Sequence, residues 1–551
     1  MMCLIQFVLF LLTLTFCYGQ SLRLHTFVDS HMVLQREPLA ARIWGWAAPK
    51  TNVTARLDHE LVAFGIADDT GSWEMDLPAQ AASSGHVLVI SDSSSTIVLQ
   101  DIAFGDVYLC SGQSNMEMSV QEAMNPVAEI EDSIHYPNLR LATVKRATSG
   151  FPLSNARSAA SNYTWARSGP DAFKNASPND GKIMLSYYSA TCYFFGRDLY
   201  KQLEGKVPIG LISSCWGGQR VEAFSSPDAL ADSSCGGTVN ATMGDYRYMA
   251  VASTNPFQLS ERDAFKMHDD DNSYKKDVQF SDRVPEMALW YGMISPLLPM
   301  RFAGAVWYQG ESNGENATSY ACRFPAMIAD WRRKFQLDLP FYYVELAGYK
   351  PAVSWPYLRA AQRAALKLDQ VDFATAIDIA DPLSPTATIH PRRKQEVGRR
   401  LSLCVLATKY QKKDIGYQGP QIESFEQDMN YGRVLLKFRS ETATTLHLHG
   451  SADCDMCCSI PPFEIMDSTG KWTRVARSRV ERPMSVVLEG TPKDTRVLGI
   501  RYAWESEPQC ILYNGKGGPD DHEGLPATPF EKCLHPSKEE SWTGRRCSLT
   551  L

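Results

Sequence analysis

The segment GDVYLCSGQSNMEM, residues 105–118, decides the fold of this chain. Its apolar half, 106–110, has the continuous hydrophobic character of a strand that is buried on both faces. A Gly-Gln-Ser-Asn turn and a helical stretch follow directly. Buried strands separated by helices are typical of an α/β unit with a largely parallel sheet. The segment therefore predicts such a unit, with Ser114 at the carboxyl end of a strand, where ligands bind in this kind of sheet.

Four more apolar runs continue the pattern along the chain. They are PIGLIS at 208–213, AGAVWYQ at 303–309, FYYVEL at 341–346 and FATAIDI at 373–379. Helical patterns occupy 190–204 and 318–335. Residues 225–285 interrupt the alternation with polar, irregular sequence, which indicates a long surface insertion. We expect the α/β domain to span residues 104–410.

Sequence rich in short strands flanks this domain on both sides. Residues 20–103 alternate apolar and polar positions between clusters of Gly, Pro, Ser and Asp, which is typical of a small β-sandwich. The same texture returns in residues 411–551. The expected fold class is therefore α/β, with a parallel sheet flanked by helices and a β-sandwich-like module at each end.

The first 19 residues are typical of a signal peptide. Their apolar run, 4–16, is shorter than the roughly 20 residues that span a bilayer, and we expect no membrane span elsewhere. Removing Cys3 and Cys17 leaves an even number of the 14 cysteines, which indicates disulfides in an oxidising compartment. We expect a lysosomal or secreted glycoprotein. Its candidate glycosylation sites are the asparagines of five sequons: Asn52, Asn162, Asn175, Asn240 and Asn316.

Composition and charge exclude several classes of protein. The chain has 551 residues, of which 44% are hydrophobic and 21% charged, so it is neither disordered nor fibrous. Its net charge of −7 offers no attraction to phosphate backbones, and we expect no nucleic-acid partner. The C-x-x-C spacing of Cys454 and Cys457 lacks a second pair of ligands, so we expect no metal site. The oligomeric state is left open.

Three strand ends carry residue types that suit acyl transfer. Ser114 precedes a helical segment whose free N–H groups can hold a developing negative charge, or it is simply an N-cap. Gly217 and Gly218 allow a backbone N–H to approach a carbonyl oxygen closely, or they mark a tight turn. The side-chain amide of Gln309 could donate to the same oxyanion, or make only turn hydrogen bonds.

A fourth strand end supplies a candidate base. Asp378 and Asp381 follow the strand, and His390 lies in a loop just before a basic helix. His390 could take the proton of Ser114 while a carboxylate orients its ring. A lone histidine is more often structural, so the informative feature is the order of Ser, Gly, amide, Asp and His along the chain.

The segments that carry these residues resemble the sialate O-acetylesterase family of SGNH-type hydrolases. The resemblance rests on GDVYLCSGQSNMEM, ISSCWGGQRVEAF, GAVWYQGESN and IHPRRKQ, and extends to MVLQREP near the start and LPATPF near the end. It implies an SGNH-hydrolase-like sheet. It also implies that Ser114 is the nucleophile and His390 the general base. The implied oxyanion hole consists of the Ser114 N–H, the N–H of Gly217 or Gly218, and the Gln309 side chain.

The implied reaction is hydrolysis of acetyl esters on sialic acids, so O-acetylated sialic acid or a sialoglycan is the expected substrate. No metal or organic cofactor is needed. The guanidinium of Arg220 suits the substrate carboxylate, since it presents a fork of N–H donors, or it is simply a solvated surface side chain. Glu311 and Asn313 are the other candidate substrate-binding residues. The alternatives are an acetylesterase for other carbohydrates, such as xylan, and an inactive secreted glycan-binding protein.

Four positions depart from the pattern of the family. The superfamily places an Asp three residues before its histidine, where this chain has Ala387. The orienting acid is then one of the two strand-end aspartates, or the site works as a Ser–His dyad. Gln219 and Arg220 replace an expected Thr-Pro, and Phe224 replaces a Trp. These positions are expected near the acyl group or the sugar.

Overall fold

The computed structural model describes residues 21–533 except 161–163, 174–187, 236–282, 351–354, 451–456, 460, 482–483, 492, 494–495 and 516–523. The predicted signal peptide, most of the predicted insertion, and the sequons at Asn162, Asn175 and Asn240 lie outside the described residues. Asn52 and Asn316 are exposed, and glycosylation there stays a prediction. No helix in the described ranges is long and apolar enough to cross a bilayer.

The N-terminal part of the chain forms two small β-structures. Its strands β1–β8 are Arg23–Leu24, Val33–Gln35, Arg42–Trp46, Asn52–Leu57, Glu60–Ile66, Ser72–Asp76, Ser83–Ser91 and Thr96–Gly112. Strands β1, β3 and β6 form one antiparallel sheet. Strands β5, β4, β7 and the first half of β8 pair antiparallel in that order. Val53 and Ala55 are buried while Asn52 is exposed, as the pleat of a half-buried strand requires.

The central sheet follows the order β10-β9-β11-β8-β12-β13-β14. Its strands β9–β14 are Leu139–Thr143, Trp165–Arg167, Ile209–Cys215, Gly304–Tyr308, Phe341–Glu345 and Val371–Thr375. All neighbours are parallel except β10, which pairs antiparallel with β9. Every residue of β11, β12 and β13 is buried, which explains their continuous apolar runs. The predicted α/β core is confirmed.

Seven α-helices accompany the sheet in the described ranges. They are Ser114–Glu117, Pro126–Asp132, Ala190–Gln202, Pro227–Leu230, Ala317–Phe335, Trp355–Gln362 and Lys394–Thr408 (α1–α7). Helix α3 packs against α7, and α5 packs against α6. The Asn316 side chain caps the start of α5, and three basic residues complement the dipole at its end.

The C-terminal part of the chain forms three more sheets. Strands β15–β25 are Ile422–Asp428, Arg433–Phe438, Leu446–Gly450, Phe463–Met466, Trp472–Arg474, Arg477–Glu481, Ser485–Glu489, Gly499–Tyr502, Cys510–Asn514, Leu525–Pro526 and Phe530–Cys533. They enclose a hydrophobic cluster of their own, which also includes Ile377 from the loop after β14. The expected β-rich module on each side of the α/β core is therefore present.

Strand β8 belongs to both the N-terminal β-structure and the central sheet. Its first half pairs with β7, and residues 106–112 pair with β11. The predicted boundary between residues 103 and 104 falls inside this strand. At its end, a Cβ on Gly112 would lie 2.2 Å from the Tyr308 carbonyl oxygen, so only glycine permits this approach of β8 to β12.

Disulfides link distant parts of the described chain. Cys110 in β8 is bonded to Cys192 in α3, Cys235 to Cys322, and Cys458 to Cys510. Cys215 and Cys404 are buried thiols. The prediction of disulfides is thus confirmed, but the even cysteine count did not predict these two thiols. Both lie in the apolar core, where a cysteine packs as a small hydrophobic side chain.

Candidate active site

The candidate site lies where three neighbouring strands end level with one another. Gly112 of β8 is paired with Cys215 of β11 on one side and with Tyr308 of β12 on the other. The loops that follow these strands therefore leave the sheet together at its carboxyl edge. This register brings together the predicted serine, glycine and amide segments.

The glycine turn packs directly against Ser114. A Cβ on Gly217 would lie 3.2 Å from Ser114 Cβ, which leaves no room for a larger residue without a shift. The Gly217 N–H donates to Glu117 Oε2 over 2.8 Å and is therefore occupied. Gly218 has a φ of +74°, and its N–H bonds to no described residue. Of the two predicted glycines, Gly218 is the one with an N–H to spare.

Glu117 fixes the position of this turn. Its carboxylate accepts a bidentate pair from Arg146, with distances of 2.8 and 2.6 Å, in addition to the Gly217 N–H. The guanidinium of Arg146 also lies over the Trp216 ring, 5.0 Å from its centroid. Charge-assisted bidentate pairs have a defined geometry, so Arg146 fixes the Glu117 carboxylate and Glu117 in turn fixes the glycine turn beside Ser114.

The side chain of Gln309 is fully buried and its amide nitrogen is engaged. Nε2 lies 2.8 Å from Asn313 Oδ1, 3.1 Å from the Gln219 carbonyl and 3.3 Å from Gln113 Oε1. Asn313 in turn donates to Glu222 and accepts from the Val221 N–H. An amide has only two N–H donors, so these contacts use both. In this structure Gln309 and Asn313 hold neighbouring loops together.

The ring of His390 is oriented by the backbone. Its Nδ1 lies 3.0 Å from the Thr386 carbonyl oxygen, which can only accept, so Nδ1 carries the proton and Nε2 the lone pair. Nε2 bonds to no described residue, and neither does Ser114 Oγ. Burial lowers the pKa of His390 below its ordinary value of 6.5, and the charge of Lys394 lowers it further. At pH 7 His390 is therefore a neutral imidazole whose Nε2 can accept a proton.

Both candidate orienting acids bind arginines. Asp378 is completely buried and accepts a bidentate pair from Arg400 over 2.7 and 2.8 Å, together with the Tyr513 hydroxyl over 2.8 Å. Asp381 accepts a bidentate pair from Arg392 over 2.6 and 2.9 Å. Neither carboxylate is the partner of His390 Nδ1. Position 387, where the superfamily has Asp, holds an exposed alanine with a φ of +108°.

Two buried polar residues join the nucleophile segment to the histidine segment. Asn115 donates to the Ile389 carbonyl oxygen over 2.9 Å, and its Oδ1 accepts from Lys394 Nζ over 2.6 Å. Ser114 and His390 are the chain neighbours of Asn115 and Ile389, so these contacts bring the two predicted residues into one site. Glu311 accepts a hydrogen bond from the same Asn115 amide over 2.6 Å.

Arg220 lies at the rim of the site. Its side chain is 40% exposed and forms an ion pair with Glu315 at 3.1 Å, while its Nε donates to the Ser312 carbonyl. Arg283 approaches the same Glu315 at 3.9 Å. Glu222 also interacts with Arg283, so the rim holds two guanidinium groups and two carboxylates.

Sequence reasoning missed Asn115, Glu117 and Lys394. All three lie inside the quoted motifs, within four residues of a predicted catalytic residue. Each is a polar side chain in a segment that the structure buries. A charged residue in such a segment was the available signal, because burial of a charge requires a specific partner.

Comparison with known proteins identifies the class of enzyme to which this chain belongs. A family model described as a sialic acid-specific acetylesterase of the carbohydrate esterases matches residues 289–404. The structure of a carbohydrate acetylesterase from Xanthomonas citri superposes with a TM-score of 0.69 and 24% identity, covering 94% of this chain and 100% of that one. The fold is thus shared with that protein. The chain is a carbohydrate esterase, a class of carboxylic ester hydrolases.

The particular family follows from full-length relatives. The chain is 31% identical to the sialate O-acetylesterase of Mus musculus over 552 residues, 93% of this chain and 94% of that protein. It is also 31% identical to the sialate O-acetylesterase of Homo sapiens over 545 residues, 93% of this chain and 92% of that protein. It therefore belongs to the sialate O-acetylesterase family, and the resemblance found in the sequence is confirmed.

Proposed function

We propose that this chain removes acetyl groups from the hydroxyls of sialic acids through a serine nucleophile. Membership of the sialate O-acetylesterase family supports the substrate class. One observation carries the assignment of the site. Ser114 packs against the glycine turn, and its neighbour Asn115 binds the residue before His390. A nucleophile, a neutral base and a spare backbone donor are thereby gathered at one edge of the sheet.

The reaction has two acyl-transfer steps. His390 Nε2 removes the proton of Ser114 Oγ as the oxygen attacks the acetyl carbonyl carbon. The tetrahedral intermediate collapses, the sugar oxygen leaves with the proton from the imidazolium, and the acetyl group remains on Ser114. Water then loses a proton to His390 as it attacks the acyl-enzyme. Acetate leaves, and the proton returns to Ser114.

The oxyanion is held by backbone donors. The N–H groups of Ser114 and Gly218 bond to no described residue and supply them. An oxyanion donor contributes about 3 kcal/mol to catalysis in comparable hydrolases. Gln309 is the side-chain amide that the sequence predicts for the oxyanion hole. Its Nε2 is already bonded to Asn313, so we assign it to holding the loops of the site together. Gly217 sets the distance between the turn and Ser114.

The geometry favours a Ser–His dyad over a triad. The Thr386 carbonyl takes the role that a carboxylate has in a triad, because it accepts from Nδ1 and fixes the tautomer. Asp378 and Asp381 instead hold Arg400 and Arg392. We also assign the sheet to the SGNH-type hydrolases, since the serine, glycine and amide segments follow β8, β11 and β12, and His390 follows β14.

The rim arginines suit an anionic sugar. The guanidinium of Arg220 is accessible and would bind the sialate carboxylate through paired N–H donors, displacing Glu315. Glu311 and Asn313 are buried in contacts with the protein and would act on substrate only through the shape of the site. Three disulfides support an oxidising lumen, secretory or lysosomal, as the place of action.

The decisive experiment is acetate release from O-acetylated sialic acid and from acetylated xylan, with the wild-type chain and Ser114→Ala. We expect faster turnover of the sialic acid ester and its complete loss in the variant. A preference for xylan would instead assign a general carbohydrate acetylesterase. Sugar binding without turnover in the wild type would assign a glycan-binding protein. Arg220→Ala should raise KM for the sialate ester but not for a neutral aryl acetate.

A further inference from the structure

A buried polar joint connects the loops that carry Ser114 and His390. It consists of Asn115, Lys394 and Glu311, and we call it the Asn115 joint. Asn115 Nδ2 donates to Glu311 Oε1 over 2.6 Å and to the Ile389 carbonyl over 2.9 Å. Asn115 Oδ1 accepts from Lys394 Nζ over 2.6 Å. One amide thus connects its own segment to two others, the histidine segment and the turn that begins at Glu311.

These three segments are the ones that must be aligned for catalysis. Asn115 is the residue after the nucleophile, and Ile389 is the residue before the base. Lys394 begins α7, four residues after His390. Glu311 begins the turn after β12. In the interior of the protein, the joint therefore connects the segment of the nucleophile to the segment of the base.

The joint consists of polar and charged side chains, whose burial costs more free energy than the burial of apolar side chains. Asn115 is 2% exposed and Lys394 is fully buried, and Glu311 Oε2 is buried without a partner among the described residues. Apolar side chains of similar volume often replace buried ionic groups without loss of stability. Polar groups in this place fix direction, because hydrogen bonds are directional and van der Waals contacts are not.

Other charges surround the ammonium group of Lys394. Glu122 and Asp381 interact with it across the loops, and the Tyr308 ring lies beneath it at 5.2 Å from the centroid. Burial lowers the pKa of Lys394 to about 7 and raises that of Glu311. Among the side chains of the joint, Asn115 follows the nucleophile directly and bonds to the residue before the base.

We propose that Asn115, held by Lys394 and Glu311, is a positioning residue that sets the separation of Ser114 Oγ and His390 Nε2. The proposal rests on the proposed serine mechanism. It follows from the absence of any carboxylate at His390 Nδ1 in the described chain: the Thr386 carbonyl orients the ring, and the Asn115 joint fixes the loop that carries it. Alignment errors of about 1 Å lower the rates of such reactions about a hundredfold.

The test uses Asn115→Asp, Asn115→Ala and Lys394→Met in the full-length chain. Asn115→Asp keeps the shape but cannot donate to Ile389. Lys394→Met keeps the volume but loses the donor to Asn115. Thr191→Val is the control, because it removes a hydrogen bond to the Asn115 main-chain carbonyl and leaves the joint intact. Active sites are titrated with a fluorophosphonate before kcat and KM for an aryl acetate are measured.

We expect kcat per titrated site to fall at least about tenfold in the three joint variants, with KM nearly unchanged, as expected for lost alignment. The rate of phosphonylation should fall in parallel. Thr191→Val should keep wild-type kcat per site. Wild-type kcat per site in Asn115→Asp and Lys394→Met would overturn the proposal, and so would losses that only follow the titrated fraction. If the reagent does not label Ser114 in the wild type, the serine mechanism itself fails.

Discussion

His390 is held by a backbone carbonyl and lies near a buried cation, and both features affect its protonation. Burial and the charge of Lys394 lower its pKa, so the ring stays neutral to lower pH than a free histidine does. Burial also lowers the pKa of Lys394, to about 7, so its ammonium group is charged throughout the acidic range.

This arrangement predicts an acid limb in the pH profile. We expect kcat/KM for an aryl acetate to fall as the pH decreases through the pKa of His390, with a midpoint below 6.5. Lys394→Met removes a neighbouring positive charge, so the midpoint should move to higher pH. The comparison uses midpoints, because the amplitude also reports alignment. The exposed Lys412→Met is the control, and equal midpoints in all three proteins would contradict the electrostatic role of Lys394.

The two glycines of the turn predict opposite outcomes. A Cβ on Gly217 would press on Ser114 Cβ at 3.2 Å and on Glu117 Oε2 at 3.1 Å, whereas a Cβ on Gly218 meets nothing within 4 Å. Gly217→Ala should therefore lower kcat about tenfold or more through displacement of Ser114. Gly218→Ala should mainly cost about 1 kcal/mol of stability, because its φ of +74° strains alanine. Kinetics and thermal unfolding of both variants check this, and equal kcat values would refute it.

At the scale of elements, a disulfide ties the nucleophile strand to its neighbouring helix. Cys110 in β8 and Cys192 in α3 are 82 residues apart in sequence. We expect Cys192→Ser to lower the free energy of unfolding by about 2–5 kcal/mol, since the unfolded chain loses a constraint. Kcat per active site should stay near the wild-type value at low temperature. Cys404→Ser, at a buried thiol, is the control. An unchanged thermal midpoint in Cys192→Ser would contradict the prediction.

The elements themselves were predictable because their signals are local. Continuous apolar runs such as 106–110 predicted buried parallel strands, and the residue types at their ends predicted the serine, glycine and histidine segments. The partners of Asp378 were not predictable, because Arg400 and Tyr513 are 22 and 135 residues away. The bond from Gly217 to Glu117 spans 100 residues and likewise leaves no trace in local sequence. Pairings of this kind depend on the assembled fold.

At the scale of the whole molecule, buried charges fasten the C-terminal sheets to the esterase core. Asp378 and Arg400 meet Tyr513 of β23 in a buried hydrogen-bonded cluster. Arg359 of α6 is also completely buried, and it donates to the carbonyl oxygens of Glu505 and Ser506. The charge of Arg400 is matched by Asp378 and Glu396, whereas Arg359 donates to backbone carbonyl oxygens, and both clusters connect the two parts of the chain.

Asp378→Asn should therefore lower stability without changing the pH dependence of catalysis. It removes one of the two carboxylates paired with the buried Arg400, Glu396 being the other, and should lower stability by about 3 kcal/mol. The acid limb of kcat/KM should stay where it is, because Asp378 does not contact His390. Urea unfolding and the pH profile test both statements. A shifted acid limb with unchanged stability would identify Asp378 as the third member of a triad, and Asp381→Asn provides the parallel comparison.

Strand β8, Thr96–Gly112, has a consequence for how such chains can be recombined. The same strand pairs with β7 at its start and ends two residues before Ser114, so no linker separates the N-terminal β-structure from the nucleophile. An exchange of the N-terminal part between relatives would have to cross over in the middle of a hydrogen-bonded strand and keep its register. We expect these two parts to be inherited together, whereas a module on a flexible tether could be shuffled freely.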